Sequence, residues 1–314
     1  REHPEVGLLL ASIGRAYWRG GRAAEGRPYL EQALALQQRL LGPEHTQVAA
    51  THEALGAVLG RLGELDAELA HRERALALRA ARVPADHPSL AISREGLGLA
   101  LERLGRHAEA QAQFEQGLAV AERVFGPTSQ EVAYQLLHLG QSFVLQGRPA
   151  EALAPLERAL AIRRAAVAAQ GELYLANPQL VLGRALLTLG RREEALARFG
   201  EARRVLESVP EPPAANRALV LCWQGLALLE LGRPGEALAP LEEAVRVQVG
   251  LQAYPPDLAD SRFGLARALV AAGGDRARAL ELARQAREVY ARYAARRAGL
   301  AALDRWLATA GRGR

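Results

Sequence analysis

Two columns of glycine constrain this chain more than any other feature. One falls at Gly14, Gly56, Gly98, Gly140, Gly183 and Gly225, at intervals of 42, 42, 42, 43 and 42 residues, and continues as Ala266. A second follows seven residues later at Gly21, Gly63, Gly105, Gly147, Gly190, Gly232 and Gly273. Between them apolar residues recur at helical spacing. In the clearest copy, Ala133 to Arg164, one predicted helix carries Leu136, Leu139, Gly140 and Phe143, and the next carries Ala152, Leu156 and Ala159. The chain therefore reads as a helical hairpin written seven times, and a unit this short buries its apolar face only by stacking on its neighbours. The first glycine lies inside a helix, where it costs about 1 kcal/mol against alanine, so it marks a close approach of two helices. The second ends that helix, where a positive φ is required. A third column is small, at Ala33, Ala75, Gly117, Ala159, Ala202, Ala244 and Ala286, and is the expected contact with the following unit.

Composition supports close helix packing: 49% of residues are hydrophobic but only 5% aromatic, so Leu, Ala and Val must fill the interior. All 40 basic residues are arginine, a usage that points to a GC-rich bacterial genome and leaves no lysine for a Schiff base, a P-loop or a kinase site. The net charge is +5, yet the arginines are spread through every unit and interleaved with acids, so solvated helix faces explain them better than a nucleic-acid groove. Cys222 is the one cysteine, which excludes an internal disulfide. No apolar run of about 18 residues and no signal-peptide pattern is present. The expected compartment is the cytoplasm, or an extracytoplasmic space if an anchor lies upstream. The chain starts at Arg1 and holds no Met, which reads as a piece of a longer protein.

Repeat one reads Leu10, Ile13-Gly14, Tyr17, Gly26, Leu30, Ala33, and repeat three reads Leu97-Gly98, Leu101, Ala110, Phe114, Gly117. This pattern resembles the tetratricopeptide repeat. The 42-residue spacing and linkers such as LGPEHTQVA at 41 to 49 resemble the longer subclass found in kinesin light chains. The resemblance implies an all-α fold: a right-handed α-solenoid of stacked helix-turn-helix repeats forming one array over 1–314. The expected repeats are 7–48, 49–90, 91–132, 133–175, 176–217, 218–258 and 259–297. A capping helix is expected over 299–310, where Leu300, Leu303, Trp306 and Leu307 share a face. The residues REHPEVG at the start read as the tail of a preceding repeat. The closing GDRARALELARQAREVY with LDRWLA resembles the end of repeat regions that follow the kinase domain in some bacterial serine/threonine protein kinases.

Some positions depart from the pattern. Repeat two places Glu68 and Arg72 where a small and a large apolar residue belong, so its second helix is expected to pack loosely. Pro155 and Pro240 share a slot of the second helix and Pro28 lies one slot earlier, which predicts late helix starts that put each proline near a first turn. Proline pairs in the linkers at 209 to 216 and 253 to 260 read as rigid connections between repeats.

Catalytic motifs are missing: there is no GxGxxG loop, His-Arg-Asp or Asp-Phe-Gly. His3, His45 and His87 occupy equivalent linker positions, which favours capping over metal binding. His52-Glu53 opens an HExxH-like pattern, but Gly56 stands where the second histidine is needed. Cys222, on an apolar helix without a companion, reads as a buried structural thiol. No catalytic residue, metal, cofactor or small-molecule substrate is implied.

What remains is the groove that the resemblance implies along the first helix of each repeat. Its slots hold Arg15, Trp18 and Arg19 in repeat one, Glu53 and Arg61 in repeat two, and Glu95, Glu102 and Arg103 in repeat three. Repeat four gives Tyr134, Leu137, His138, Gln141 and Val144; repeat five Leu180, Val181, Arg184 and Leu187; repeat six Leu219, Cys222, Trp223 and Leu226. The expected site is a peptide-binding groove of Tyr134, Leu137, His138, Gln141, Leu180, Arg184, Leu219, Trp223 and Leu226, with Arg15 and Trp18. A partner protein or peptide is the expected ligand. The central slots Arg15, Ala57, Leu99 and Gln141 lack the Lys and Asn set of carboxylate-clamp versions of the fold, which argues against a C-terminal carboxylate and for an extended or helical apolar peptide. The alternative is a regulatory region of a signalling enzyme such as a serine/threonine kinase; a nucleic-acid-binding array ranks below both.

Overall fold

The computed structural model describes residues 3–251, 254–293 and 297–310. It is a succession of helical hairpins, with no strand among the described residues. The pairs are α1 (Pro4–Arg19) with α2 (Ala23–Leu41), α3 (Thr46–Leu62) with α4 (Leu65–Ala80), and α5 (Pro88–Arg103) with α6 (His107–Phe125). Then come α7 (Gln130–Leu145) and α8 (Pro149–Ala165), a short α9 (Val167–Gln170), and a 3-10 turn at Glu172–Leu175. The remaining pairs are α10 (Ala176–Thr188) with α11 (Arg192–Glu207), α12 (Ala214–Glu230) with α13 (Pro234–Gly250), and α14 (Pro255–Ala271) with α15 (Arg276–Arg292), closed by α16 (Arg297–Ala310). The chain is an all-α solenoid of helix-turn-helix repeats. It divides into two compact units, 1–142 and 143–314.

Local chemistry sets the helix ends. His3, His45 and His87 cap α1, α3 and α5, each Nδ1 accepting from the backbone N–H two residues on, at 3.3, 3.2 and 3.2 Å. An acceptor there satisfies one of the N–H groups that a helix start leaves without a partner. Pro4 to Gly7 therefore form the first turn of α1. The first helices also begin three residues before the expected boundaries at 49, 91 and 133. Of the start segment, residues 1 and 2 lie outside the described residues, as do 252–253 and 294–296, on which parts of the last two expected repeats fall.

Every glycine of the second column has a positive φ, between 71° and 80°. The first column is a contact surface. A Cβ on Gly98 would stand 2.4 Å from the Phe114 ring, and one on Gly183 would stand 2.5 Å from Phe199. Helix pairs cross there with backbone against an aromatic or leucine side chain, which buries Phe114, Phe199, Leu30 and Leu241 completely.

Two expectations are corrected. Pro28, Pro155 and Pro240 lie inside α2, α8 and α13, and no late start rescues them; in α8 and α13 the first turn already holds Pro149 and Pro234. The carbonyl four residues before each proline belongs to Ala24, Glu151 or Glu236, all exposed, so water can replace the lost N–H partner. Nor does α4 pack loosely. Glu68 is fully buried and Arg72 nearly so, because each finds a counter-charge within its own unit.

At the other end of the sequence α16 acts as a cap. Its Leu303 is fully buried beside Ala259, Ala286 and Tyr290, and Trp306 meets the Phe263 ring edge-on at 5.8 Å. Such a helix removes from water the apolar face that the last hairpin would otherwise expose.

Candidate protein-binding surface

The first helices of unit 1 present two kinds of side chain in the slots that the core leaves free. Near the start of each helix an apolar column runs at the repeat spacing: Leu8 on α1, Ala50 on α3, Ile92 on α5 and Tyr134 on α7. Leu8, Ile92 and Tyr134 are 40%, 57% and 37% exposed. Repetition puts equivalent side chains in a row, so these form a stripe that crosses the repeats. Trp18, at the far end of α1, is 36% exposed.

Deeper in the same unit lies a polar layer. Glu53 on α3 takes Arg72 on one oxygen and Arg79 on the other, both at 2.6 Å. Arg79 also reaches Ser93 on α5 at 2.5 Å, and Ser93 donates to Glu53 at 3.0 Å. Glu68 accepts from Arg103 at 2.5 Å. Burial pushes the Glu68 carboxyl above its ordinary range, and the neighbouring Arg103 and Arg72 pull only partly against it. Glycines make room for these ions: a Cβ on Gly60 would lie 2.4 Å from the Glu68 carboxylate, and one on Gly96 would lie 2.5 Å from the Arg72 guanidinium. His52 and His71 bring their Nδ1 atoms within 2.8 Å, so one donates and the other accepts. Burial lowers the pKa of His52 to about 4, helped by His71 and Arg74. His71 is lowered as well, chiefly by burial.

The expected groove residues fall into three groups. Exposed are Tyr134 and Trp18. Engaged with neighbours are His138, whose Nε2 lies 3.5 Å from Glu95 and whose ring stacks on Phe114 at 5.4 Å, Gln141, which donates to Glu102 at 3.2 Å, and Arg15, which donates to Ser12 at 2.9 Å. In unit 2, Arg184 lies with its guanidinium 4.6 Å from the centre of the half-buried Trp223 ring, an attractive cation–π contact. Leu219 and Leu226 are half-buried, and Leu226 packs on the core around Leu241 and Leu265. Buried in the interior are Leu137 and Leu180, at 5% and 7% exposure, so neither offers a surface. Cys222 is likewise buried.

Leu8 and Ile92 were not among the expected site residues. The signal was present: they stand 126 and 42 residues before Tyr134, in the same column. Among the described residues no group of three His, Cys, Asp or Glu side chains could hold a metal, and no helix is long and apolar enough to cross a membrane.

A family profile described as tetratricopeptide repeat matches residues 5–81, 69–123, 89–165 and 174–248. The chain belongs to the tetratricopeptide repeat family. Among solved structures, it is similar to a kinesin light chain protein of Podosopora anserina with nearly identical TPR-like repeats, at 25% identity and TM-score 0.57, over 65% of this chain and 96% of that one. BtubC (BKLC) from P. vanneervenii matches at 18% identity and TM-score 0.56, covering 74% of this chain and 92% of that one. A Rap protein complexed with Competence and Sporulation Factor matches at 11% identity and TM-score 0.60, over 98% and 99% of the two chains. These last two likenesses concern the fold alone. A search of the curated proteins returns no match. Proteins built on the tetratricopeptide repeat are in general protein–protein interaction scaffolds.

Proposed function

We propose that this tetratricopeptide protein captures a partner polypeptide on the first helices of unit 1. The observation that carries the reading is the exposed column of Leu8, Ile92 and Tyr134. The fold makes no demand on that slot, as Asn177 in the same slot of α10 shows. Large apolar side chains left in water in three of four consecutive repeats mark an interaction surface. An apolar peptide lying across the repeats meets such a side chain in three of the four, with the small Ala50 between Leu8 and Ile92, and the ion-paired layer beneath keeps the first helices from shifting as it binds. In unit 2, Trp223 with Arg184 across its face supplies an aromatic anchor of the kind that dominates interfaces.

The test is selection of displayed peptides against the chain, followed by affinity measurement on variants. Ile92→Asp with Tyr134→Ala should weaken the selected peptides by about tenfold or more, the loss that removal of interface anchors of about 1.4 kcal/mol or more produces, while circular dichroism stays helical. Equal binding to the double variant would place the surface elsewhere, and Trp223→Ala then becomes the informative substitution. A second reading, a regulatory region attached to a signalling enzyme such as a serine/threonine kinase, rests on the closing segment through LDRWLA; a gene with no catalytic domain upstream would remove it.

A further inference from the structure

Three hairpins carry a polar pair in the slots of His52 and His71, and the pair in α3/α4 differs in kind from the other two. On α5/α6 the slots hold Arg94 and Gln113, with the guanidinium donating to the amide oxygen at 3.0 Å. On α10/α11 they hold Gln179 and Arg198, and Arg198 donates to Gln179 at 3.5 Å. A guanidinium can only donate, so neither pair can do more than make a hydrogen bond. In α3/α4 two imidazoles face each other through Nδ1 at 2.8 Å. The hydrogen bond needs one Nδ1 protonated and the other bare. With both protons on Nε2 instead, two nitrogen lone pairs point into the same space, and a shared cation is what then holds them together.

The surroundings suit a cation. His71 stands on the wall of a cavity of about 280 Å³ between α2 and α4, with Leu34, Leu55 and Leu59 among its lining and Glu31 on the same wall. An Arg–Glu ion pair stands at the start of α2, α6, α8, α11 and α13. In α4 those two slots hold Glu64 and Ala67, so the mouth of the cavity lacks that pair. Glu64 instead takes Arg27 of α2 at 2.8 Å, and Glu31 takes it at 2.7 Å. Arg74, the other guanidinium that acts on His52, lies 3.8 Å from Glu44. Neighbouring positive charge is thus met by carboxylates and does not repel a dication. Burial also keeps both imidazoles neutral at pH 7, the form that binds a metal. We propose that His52 and His71 form a two-histidine site for Zn²⁺ or a similar borderline divalent metal ion, held between their Nδ1 atoms, with water from the cavity completing its coordination. Zn–N bonds of about 2.0–2.1 Å at a tetrahedral angle set two nitrogens about 3.3 Å apart, so the rings need to separate by about half an ångström. Two protein donors leave the metal open to solvent. This site is separate from the column of Leu8, Ile92 and Tyr134 and does not depend on it.

The test is titration of the full chain, free of any affinity tag, with Zn²⁺ by calorimetry, while imidazole nitrogens are followed in long-range ¹H–¹⁵N spectra. Expected is saturable uptake in which the Nδ1 resonances of His52 and His71 move together, and no uptake of Mg²⁺, a hard cation that prefers oxygen. His52→Arg with His71→Gln copies the Arg94–Gln113 pair into α3/α4, which keeps a filling the fold already uses and removes both donors. Affinity for Zn²⁺ is expected to fall by about tenfold or more in that variant, since even outer partners of a metal site are worth that much. If the double variant loses its helical circular dichroism, His71→Gln alone carries the same comparison. No uptake by the unaltered chain, unchanged affinity in the folded variant, or resonance shifts confined to Nε2 atoms or to other histidines overturns the proposal.

Discussion

Hairpins α3/α4 and α10/α11 have the same two glycine columns and opposite interiors. In α10/α11 the ring of Phe199 fills the space over Gly183, with Ala195 one turn earlier. In α3/α4 those two slots hold Arg72 and Glu68, and the Arg72 side chain crosses Gly56 at its Cγ, Cδ and Nε atoms. The backbone accepts either filling, because the glycine leaves room for a large side chain and sets no condition on its polarity. The difference lies in what else each filling requires. Phe199 requires nothing beyond contact. The ions require Glu53 and Arg79 from their own repeat, Ser93 and Arg103 from the next, and glycine at 60 and 96. A buried ionic pair of this sort adds little net stability over an apolar filling, yet is costly to break. What it adds here is a contact list that only the adjacent repeat can complete.

Substitutions can break that contrast. The largest effect is expected from Glu53→Ala, which strands Arg72 and Arg79 together: a loss of about 3–5 kcal/mol in chemical denaturation. A loss below about 1 kcal/mol would mean that water already screens the network. Next, Glu68→Ala with Arg72→Phe copies the α10/α11 interior into α3/α4 and should leave stability unchanged or raise it by up to about 4 kcal/mol; a clear fall would show that the ionic filling is itself the more stable one. Gly183→Ala attacks the apolar side, where the new Cβ meets Phe199, and should cost about 1–3 kcal/mol in the same measurement.

A pH series sharpens the comparison, since the slots of His52 and His71 hold Gln179 and Arg198 in α10/α11, where Arg198 donates to Gln179 at 3.5 Å. Burial favours neutral His52 in the folded chain, with a pKa of about 4 against 6.5. The unfolded chain therefore takes up the proton first. Stability from this group is complete above pH 6.5 and falls as pH drops toward 4, by on the order of 1–3 kcal/mol. His52→Leu should flatten that limb of the thermal midpoint against pH; an unchanged slope would assign it to other groups. The smallest effect is expected at Arg233, whose pair with Glu236 stands in solvent. There Arg233→Ala should leave the midpoint within scatter, and a resolvable shift would mean that the surface pairs act as a network.

Much of the fold is legible in the residues because its rules are local. Gly63 ends α3 because a φ of 80° strains most residues that carry a Cβ, and His45 caps α3 through an atom only two residues away from its partner. Periodicity also marks which slots are free, and so points to Tyr134. It fails where burial is decided by a neighbour. Leu137 and Leu180 occupy nominal groove slots yet lie inside, and His138 and Gln141 are taken up by Glu95 and Glu102.

The sequence by itself determined the repeat, its period, its helix ends and the glycine contacts, because each of these depends on residues within one hairpin or on exact recurrence. Only the tertiary structure decided how Glu68 and Arg72 are neutralised and which free slots still meet water. Those depend on side chains some 35 to 40 residues away, such as Arg103 from Glu68 and Ser93 from Glu53, brought together by stacking. No pattern within one repeat carries the geometry of the next.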